Sequence, residues 1–97
     1  MKVVVHVSDA VGVRQAREQV AEFHRMDDEI GLMIVAEQEA VATIVRDPDP
    51  RTDRFVVLAE NDLNEAGIAL PSFLESTDNT YHLLARLQRK GWSYIRA

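Results

Sequence analysis

Residues 3–23, VVVHVSDAVGVRQAREQVAEF, contain the pattern that decides the fold. The stretch opens on a β-branched apolar run that only His6 interrupts, which is typical of a strand. Ser8 and Asp9 follow, and both residue types favour helix N-termini. Apolar residues then recur at steps of three and four, which predicts one amphipathic helix. These apolar positions are Val13, Ala16, Val20 and Phe23. The stretch therefore predicts a strand, a tight turn and a helix.

The same alternation runs through the rest of the chain. Short apolar runs predict four further strands, so the chain would have five. The pattern for the fourth strand of the chain is the weakest. These strands are expected at residues 30–36, 55–59, 72–76 and 92–95. Helical spacing over residues 40–45 predicts a second helix. Residues 46–53 hold two prolines among charged side chains, so we expect a loop without regular structure there.

Two more helices are predicted from the residues at their ends. Asn61 or Asp62 would cap a short helix that Gly67 stops. A longer helix would begin after the polar run at residues 77–79 and end at Gly91. Alternating strands and helices predict a single α/β domain with a parallel sheet, helices on both faces and right-handed crossovers.

Composition excludes several classes of function for residues 1–97. A formal net charge of −5 counts against non-specific binding to nucleic acid, which depends on basic side chains. The absence of cysteine excludes disulfides, thiolate catalysis and cysteine-ligated metal clusters. No apolar run approaches the ~20 residues of a membrane span, so we expect a cytoplasmic protein without membrane contact.

In open parallel sheets, ligands bind beyond the carboxyl ends of the strands. We therefore expect a site at this edge, where helix N-termini would also suit an anion. His6, Glu37 and Glu60 are candidates for acid–base catalysis if the fold brings them together. The polar residues that we expect to bind a ligand at this edge are Ser8, Asp9, Gln38, Asn61 and Thr77.

Each of these residues also has a purely structural interpretation. Capping a helix is the ordinary role of serine, aspartate and asparagine at such positions. His6 would need a hydrogen-bond partner in a buried strand, whether it belongs to a site or only to the core. His6, His24 and His82 show no local ligand spacing, so we expect no metal and no other cofactor.

Other charged and aromatic residues receive structural interpretations. A basic cluster near the C-terminus fits a solvated helix end, where cations are favoured, with a nucleic-acid or anion surface as the alternative. It comprises Arg86, Arg89, Lys90 and Arg96. We assign Phe73, Trp92 and Tyr94 to the core, with a subunit contact as the alternative, and place Tyr81 on the apolar side of its helix.

Three segments are similar to members of one protein family. They are the opening MKVVVHVS of residues 1–8, LAENDL of 58–63 followed by AGI of 66–68, and the closing LARLQRKGWSYI of 84–95. On these segments, nearly the whole chain resembles the DsrE/DsrF family of small sulfur-relay proteins. The resemblance implies a three-layer α/β/α sandwich around a mainly parallel five-stranded sheet. It also implies a homo-oligomer, either a dimer, a trimer or a hexamer.

The chain departs from this family at one chemical position. Members that relay sulfur use a cysteine after a central strand, and that position falls at or near Ala59, which completes the candidate ligand-binding set. Since alanine carries no nucleophile, the resemblance implies a non-catalytic binding or assembly module. Two alternatives stay open: an accessory subunit beside a cysteine-bearing sulfur-relay paralogue, and a cysteine-free enzyme using His6, Glu37 and Glu60.

Overall fold

The computed structural model describes residues 1–97 and contains five strands and five helices. In chain order they are β1 (Lys2–Val7), α1 (Ala10–Met26), β2 (Gly31–Ala36), α2 (Glu39–Arg46), α3 (Pro50–Asp53), β3 (Val56–Ala59), α4 (Glu60–Ala66), β4 (Glu75–Thr77), α5 (Thr80–Arg89) and β5 (Ser93–Arg96). Strands and helices alternate, which confirms the predicted α/β class. None of the helices has the length and apolar character required to cross a lipid bilayer.

The five strands form one sheet in the order β4-β3-β2-β1-β5, and every neighbouring pair is parallel. The predicted mainly parallel sheet is therefore parallel throughout. The last strand pairs with the first, with Val4 opposite Tyr94 and His6 opposite Arg96. This return places the C-terminal residues beside the start of the chain. All five carboxyl ends consequently lie along one edge of the sheet.

The side chains of β1 alternate between two separate apolar clusters, because successive residues of a strand point to opposite faces. Val3, Val5 and Val7 pack in the larger cluster with residues of α1, α2 and α4. Val4 packs in the smaller cluster with three leucines of α5. Helices therefore cover both faces of the sheet, and the predicted three-layer α/β/α arrangement is confirmed.

Most of the predicted helix ends agree with the structure. The Asp9 carboxylate accepts a hydrogen bond from the Gly12 N–H and caps α1, and Asn79 caps α5 through the His82 N–H. Gly67 ends α4 in the left-handed conformation, at φ 67°. Gly91 follows α5 with φ 91°. Both glycines adopt backbone conformations that disfavour residues with a Cβ atom.

The predicted cap of α4 is wrong. The helix begins at Glu60 directly after β3, so Ala59 occupies the capping position and offers no side-chain hydrogen bond. Asn61 and Asp62 lie inside the first turn instead. The Asp62 carboxylate accepts a hydrogen bond from the Gln38 N–H at 2.8 Å, and it thereby joins α4 to the start of α2.

The absence of regular structure expected over residues 46–53 is also wrong. Pro50 begins α3, a position where its missing N–H has no intrahelical partner to lose. Asp49 caps the helix by accepting from the Arg51 N–H. The Arg51 side chain hydrogen-bonds the same carboxylate and lowers the pKa of Asp49 below its ordinary value of 3.8. Proline and aspartate therefore start a helix here.

The fourth and fifth strands are displaced toward the C-terminus from the predicted ranges. β4 covers Glu75–Thr77 rather than residues 72–76, because its pairing with β3 starts at Glu75. β5 covers Ser93–Arg96 rather than 92–95, and its last pair joins Arg96 to His6. These boundaries depend on the partner strands, which local composition does not reveal.

Core packing is wrong for two of the aromatic residues and only partly right for Trp92. Phe73 is 66% exposed and Tyr94 is 40% exposed. Trp92 is partly buried against the α5 cluster. Tyr81 is 67% exposed, so it does not belong to the apolar side of α5. That side consists of Thr80, Leu83, Leu84 and Leu87.

Candidate functional site

A buried histidine and a buried carboxylate meet at the carboxyl edge of the sheet. His6 lies near the end of β1 and is 3% exposed, and Glu37 directly follows β2 and is 6% exposed. His6 Nε2 hydrogen-bonds the Glu37 carboxylate. The Glu37 N–H donates to the Val7 carbonyl at 3.0 Å, which extends the pairing of β1 and β2 past Ala36. Strand pairing therefore fixes the position of the carboxylate.

The last strand adds a phenol and a guanidinium group to the same histidine. Tyr94 and Arg96 are two residues apart in β5, so their side chains share one face of the sheet. The Tyr94 hydroxyl lies 2.7 Å from His6 Nδ1, and Arg96 Nη1 lies 2.9 Å from the same nitrogen. Arg96 Nη2 donates to the Ser8 hydroxyl at 2.6 Å. His6, Ser8, Glu37, Tyr94 and Arg96 form what we call the His6 cluster.

The partners of His6 assign the proton on its ring. Arg96 Nη1 lies 2.9 Å from Nδ1 and 3.2 Å from Nε2, so this contact does not distinguish the two ring nitrogens. A carboxylate can only accept, so Glu37 requires the proton on Nε2. In the tautomer that carries its proton on Nε2, Nδ1 is an acceptor and faces the Tyr94 hydroxyl. Two donors therefore compete for the Nδ1 lone pair, the Tyr94 hydroxyl and the Arg96 guanidinium group.

An open cleft of about 410 Å³ adjoins the cluster. It lies between α4 and α5, which follow neighbouring strands but pack in the clusters on opposite faces of the sheet. This is a topological switch point, where parallel sheets commonly bind ligands. Glu37 and Tyr81 line the cleft on the side of the His6 cluster. The other lining residues are Gln38, Ala59, Glu60, Asn61, Asp62, Thr77, Asp78, Asn79 and Thr80.

The electrostatic character of the cleft differs from the sequence-based expectation. Four carboxylates line it, from Glu37, Glu60, Asp62 and Asp78, and no lysine or arginine does. These groups would repel an anion, so the lining of this cleft does not favour the anion expected at the helix N-termini. We call this region the acidic cleft. The cation of the neighbourhood is Arg96, whose side chain is 52% exposed.

Gln38 occupies the N-cap position of α2 in a backbone conformation that favours glycine, with φ 53° and ψ −136°. Its side chain makes no capping hydrogen bond, although its N–H donates to Asp62. Such a conformation costs about 1–3 kcal/mol in a residue with a side chain and tends to occur at functional sites. The strained residue lies beside Glu37 on the rim of the acidic cleft.

The predicted site residues separate into three groups. His6, Ser8 and Glu37 meet in the His6 cluster, and Gln38, Ala59, Glu60, Asn61 and Thr77 line the acidic cleft. Asp9 only caps α1. Ser8 binds Arg96 rather than capping that helix. Glu60 is exposed and forms neither a hydrogen bond nor an ion pair with His6, so the structure does not join it to the predicted acid–base set.

Sequence reasoning missed Tyr94 and Arg96. The sequence pattern assigns Tyr94 to the core and Arg96 to a basic helix end, but Arg96 ends a strand and binds Ser8 and His6. Their spacing of two residues in the last strand was the available signal, since it places both side chains on one face. No group of three or more histidine and carboxylate side chains is arranged to hold a metal ion.

Comparison with known proteins supports the fold and leaves the family open. No family model and no curated protein matches the chain. The fold is similar to a solved structure, the protein of unknown function MTH1491 from Methanobacterium thermoautotrophicum, with a TM-score of 0.81 at 20% identity. The alignment covers 99% of this chain and 98% of that protein. At this level of identity the likeness shows a shared α/β fold.

Proposed function

We propose that this chain is a DsrE-like module that binds a small polar molecule at the carboxyl edge of its sheet and assembles into a homo-oligomer. One observation carries the binding proposal: five polar side chains from the ends of three strands converge beside an open cleft. Protein interiors disfavour buried polar groups, so a network of this size needs either a structural or a functional reason.

Exposure of the outer part of the network favours function. His6 and Glu37 are buried, whereas Tyr94 is 40% exposed and the Arg96 side chain is 52% exposed. A purely structural network would gain most from enclosure, since a low dielectric strengthens its hydrogen bonds. Here the network ends in a phenol and a guanidinium group that solvent reaches. A ligand at the edge can therefore contact both groups.

The charges at the edge define the chemical class of the ligand. The acidic cleft suits a cationic or hydrogen-bond-donating group, and Arg96 suits a carboxylate or another acceptor. We infer a small molecule that carries donors at one end and an acceptor at the other. A ligand dominated by phosphate would be repelled by the four carboxylates of the cleft.

The position of Ala59 supports the DsrE-like part of the proposal. Ala59 ends β3, lines the acidic cleft and stands where the resemblance puts the sulfur-carrying cysteine. The site is otherwise complete but lacks the cysteine sulfur, which favours a binding role over sulfur transfer. An accessory role beside a cysteine-bearing paralogue makes a separate prediction: co-purification should recover a sulfur-relay partner from cell extract.

Exposed apolar side chains support the oligomer. Phe73 is 66% exposed, Tyr81 is 67% exposed and Tyr94 is 40% exposed. The ten-residue helix α5 is the only helix on its face of the sheet, so it covers that face incompletely. Met33 and Trp92 stay partly exposed there. Association would remove this apolar surface from water. The proposed assembly is a dimer, trimer or hexamer.

Native mass spectrometry of gently purified protein tests both parts together. For a chain of 11.0 kDa, we expect a multiple of this mass and a retained small molecule. Arg96→Ala should lose that molecule, and Arg89→Ala is the matched control, because Arg89 is exposed near the C-terminal end of α5, away from the carboxyl edge. A monomer at high protein concentration would contradict the assembly, and equal ligand retention by both variants would contradict the binding site.

A cysteine-free acid–base enzyme is the second candidate, and the contact between His6 and Glu37 favours it. A carboxylate that orients a histidine is a recurring arrangement in general-base catalysis. Glu60 is not a catalytic residue in this candidate function, because it contacts neither His6 nor Glu37. Incubation with a panel of esters, amides and carbonyl compounds should show turnover that His6→Gln abolishes. Equal turnover by His6→Gln would remove the candidate.

A further inference from the structure

The exposed end of the His6 cluster is the Tyr94 hydroxyl. Three groups form a line from the core to solvent: the Glu37 carboxylate, the His6 ring and the Tyr94 phenol. Glu37 holds Nε2, and Nδ1 lies 2.7 Å from the phenol oxygen, within the range for transfer of a proton, and 2.9 Å from Arg96 Nη1. A carboxylate, a histidine and a hydroxyl in this order form the arrangement that activates a nucleophile.

We propose that Tyr94 is a nucleophile activated by the His6–Glu37 pair and that it accepts an acyl or sulfonyl group from an electrophile. The proposal deepens the acid–base candidate and rests on the same His6 cluster. It does not depend on the natural ligand, because a simple electrophile reaches an exposed phenol directly. Its failure would therefore leave the binding proposal standing.

The reaction with a sulfonyl fluoride illustrates the step. The phenol oxygen attacks sulfur, an O–S bond forms and the S–F bond breaks. The phenol proton moves to His6 Nδ1 and then to water, and fluoride leaves. The resulting imidazolium is paired with the Glu37 carboxylate while it lasts. For a natural donor, the acidic cleft disfavours phosphoryl groups and favours an uncharged acyl group such as an ester or thioester.

Tyr81 provides an internal control, since the chain holds only two tyrosines. Tyr81 is 67% exposed and Tyr94 is 40% exposed, so exposure alone predicts faster reaction at Tyr81. Tyr81 lies 6.5 Å from the His6 ring between centroids and has no hydrogen bond to it. Activation by His6 predicts the reverse order. The two explanations therefore make opposite predictions in one sample.

Modification with benzenesulfonyl fluoride and tryptic mapping gives the test. Trypsin separates residues 91–96, which hold Tyr94, from residues 55–86, which hold Tyr81. General-base assistance contributes about 10²–10⁴-fold, so we expect Tyr94 to react about tenfold faster than Tyr81, or more. In urea the two rates should become equal. Faster or equal reaction at Tyr81 in the folded protein would overturn the proposal.

Two variants assign the effect to the pair. His6→Gln and Glu37→Gln should each bring the rate at Tyr94 down to that at Tyr81, with folding checked by circular dichroism. A folded His6→Gln variant that keeps the preference for Tyr94 would also overturn the proposal. If neither variant folds, the ratio of the two tyrosine rates in the unaltered protein decides the question.

Discussion

His6 and Glu37 are hydrogen-bonded at the carboxyl edge of the sheet although 31 residues separate them in the chain. Parallel pairing of β1 with β2 makes this contact, because His6 lies opposite Val35 and Glu37 follows two residues later. Residues two apart in an extended chain share a face, so both side chains point to the α5 side. The contact is therefore a product of strand register.

The His6–Glu37 bond should contribute measurably to stability. Glu37→Ala leaves the buried Nε2 proton of His6 without its acceptor, so the free energy of unfolding should fall by about 1–3 kcal/mol. Glu60→Ala is the control, because Glu60 is exposed and should change stability by no more than about 0.5 kcal/mol. Urea unfolding followed by circular dichroism measures both. Equal losses in the two variants would contradict the contact.

Gln38 should be a position where glycine stabilises the protein. With φ at 53° and ψ at −136°, Gln38→Gly relieves backbone strain, and we expect a gain of about 1 kcal/mol. The same change at Gln15, which is exposed in α1, should cost about 1 kcal/mol. Thermal unfolding of the two variants should shift in opposite directions. A loss at Gln38 as large as that at Gln15 would disprove the strain.

The pair of Arg17 and Asp53 should hold α1 against α3. Asp53 is 2% exposed, and it accepts from Arg17 Nη2 at 3.2 Å and from the Asp49 N–H at 2.8 Å. Asp53→Ala removes one partner of a buried pair and should cost about 3–5 kcal/mol. Asp53→Asn should cost less, because its amide oxygen can still accept the backbone hydrogen bond.

Chemical denaturation of the Asp53 variants requires a control from the same part of the chain. Asp47 is exposed, so Asp47→Ala should alter the free energy of unfolding by about 0.5 kcal/mol at most. We expect Asp47→Ala to be the most stable of the three variants, Asp53→Asn to be intermediate and Asp53→Ala to be the least stable. Similar stability for the two alanine variants would show that the buried pair contributes nothing.

Ala59 should be reachable from the acidic cleft. Because the chain has no cysteine, Ala59→Cys introduces a single thiol at a residue that lines the cleft, although Ala59 itself is only 6% exposed. Iodoacetamide should modify that thiol in the folded protein. Ala16→Cys is the matched control, since Ala16 is 1% exposed and packs in the core between α1 and the sheet. It should react only after unfolding.

Bound ligand gives the second readout of the Ala59→Cys experiment. A molecule retained in the acidic cleft should slow modification of the Ala59→Cys thiol, and its removal by dialysis should restore the rate. Modification of Ala16→Cys as fast as that of Ala59→Cys would contradict the cleft. A rate that does not change with ligand would place the ligand elsewhere.

The sequence by itself determined the number and order of the strands, most helix ends and the layered α/β fold, but not the bounds of β4 and β5. The run from Val3 to Val7 and the helical spacing after Asp9 depend on local side-chain chemistry, which the sequence displays directly. Caps such as Asp9 and Asn79, and the stop at Gly67, are equally local. For this reason the sequence predicts that His6 and Glu37 lie at one edge of the sheet.

Only the tertiary structure decided which residues share the site. Pairing of β5 with β1 brings Tyr94 and Arg96 to His6 across 88 and 90 residues of chain, whereas Glu60 stays in solvent at the other side of the cleft. Strand order depends on the crossover of α5 to the second face of the sheet, which no local pattern encodes. Long-range strand pairing and helix packing therefore decide which side chains form the His6 cluster.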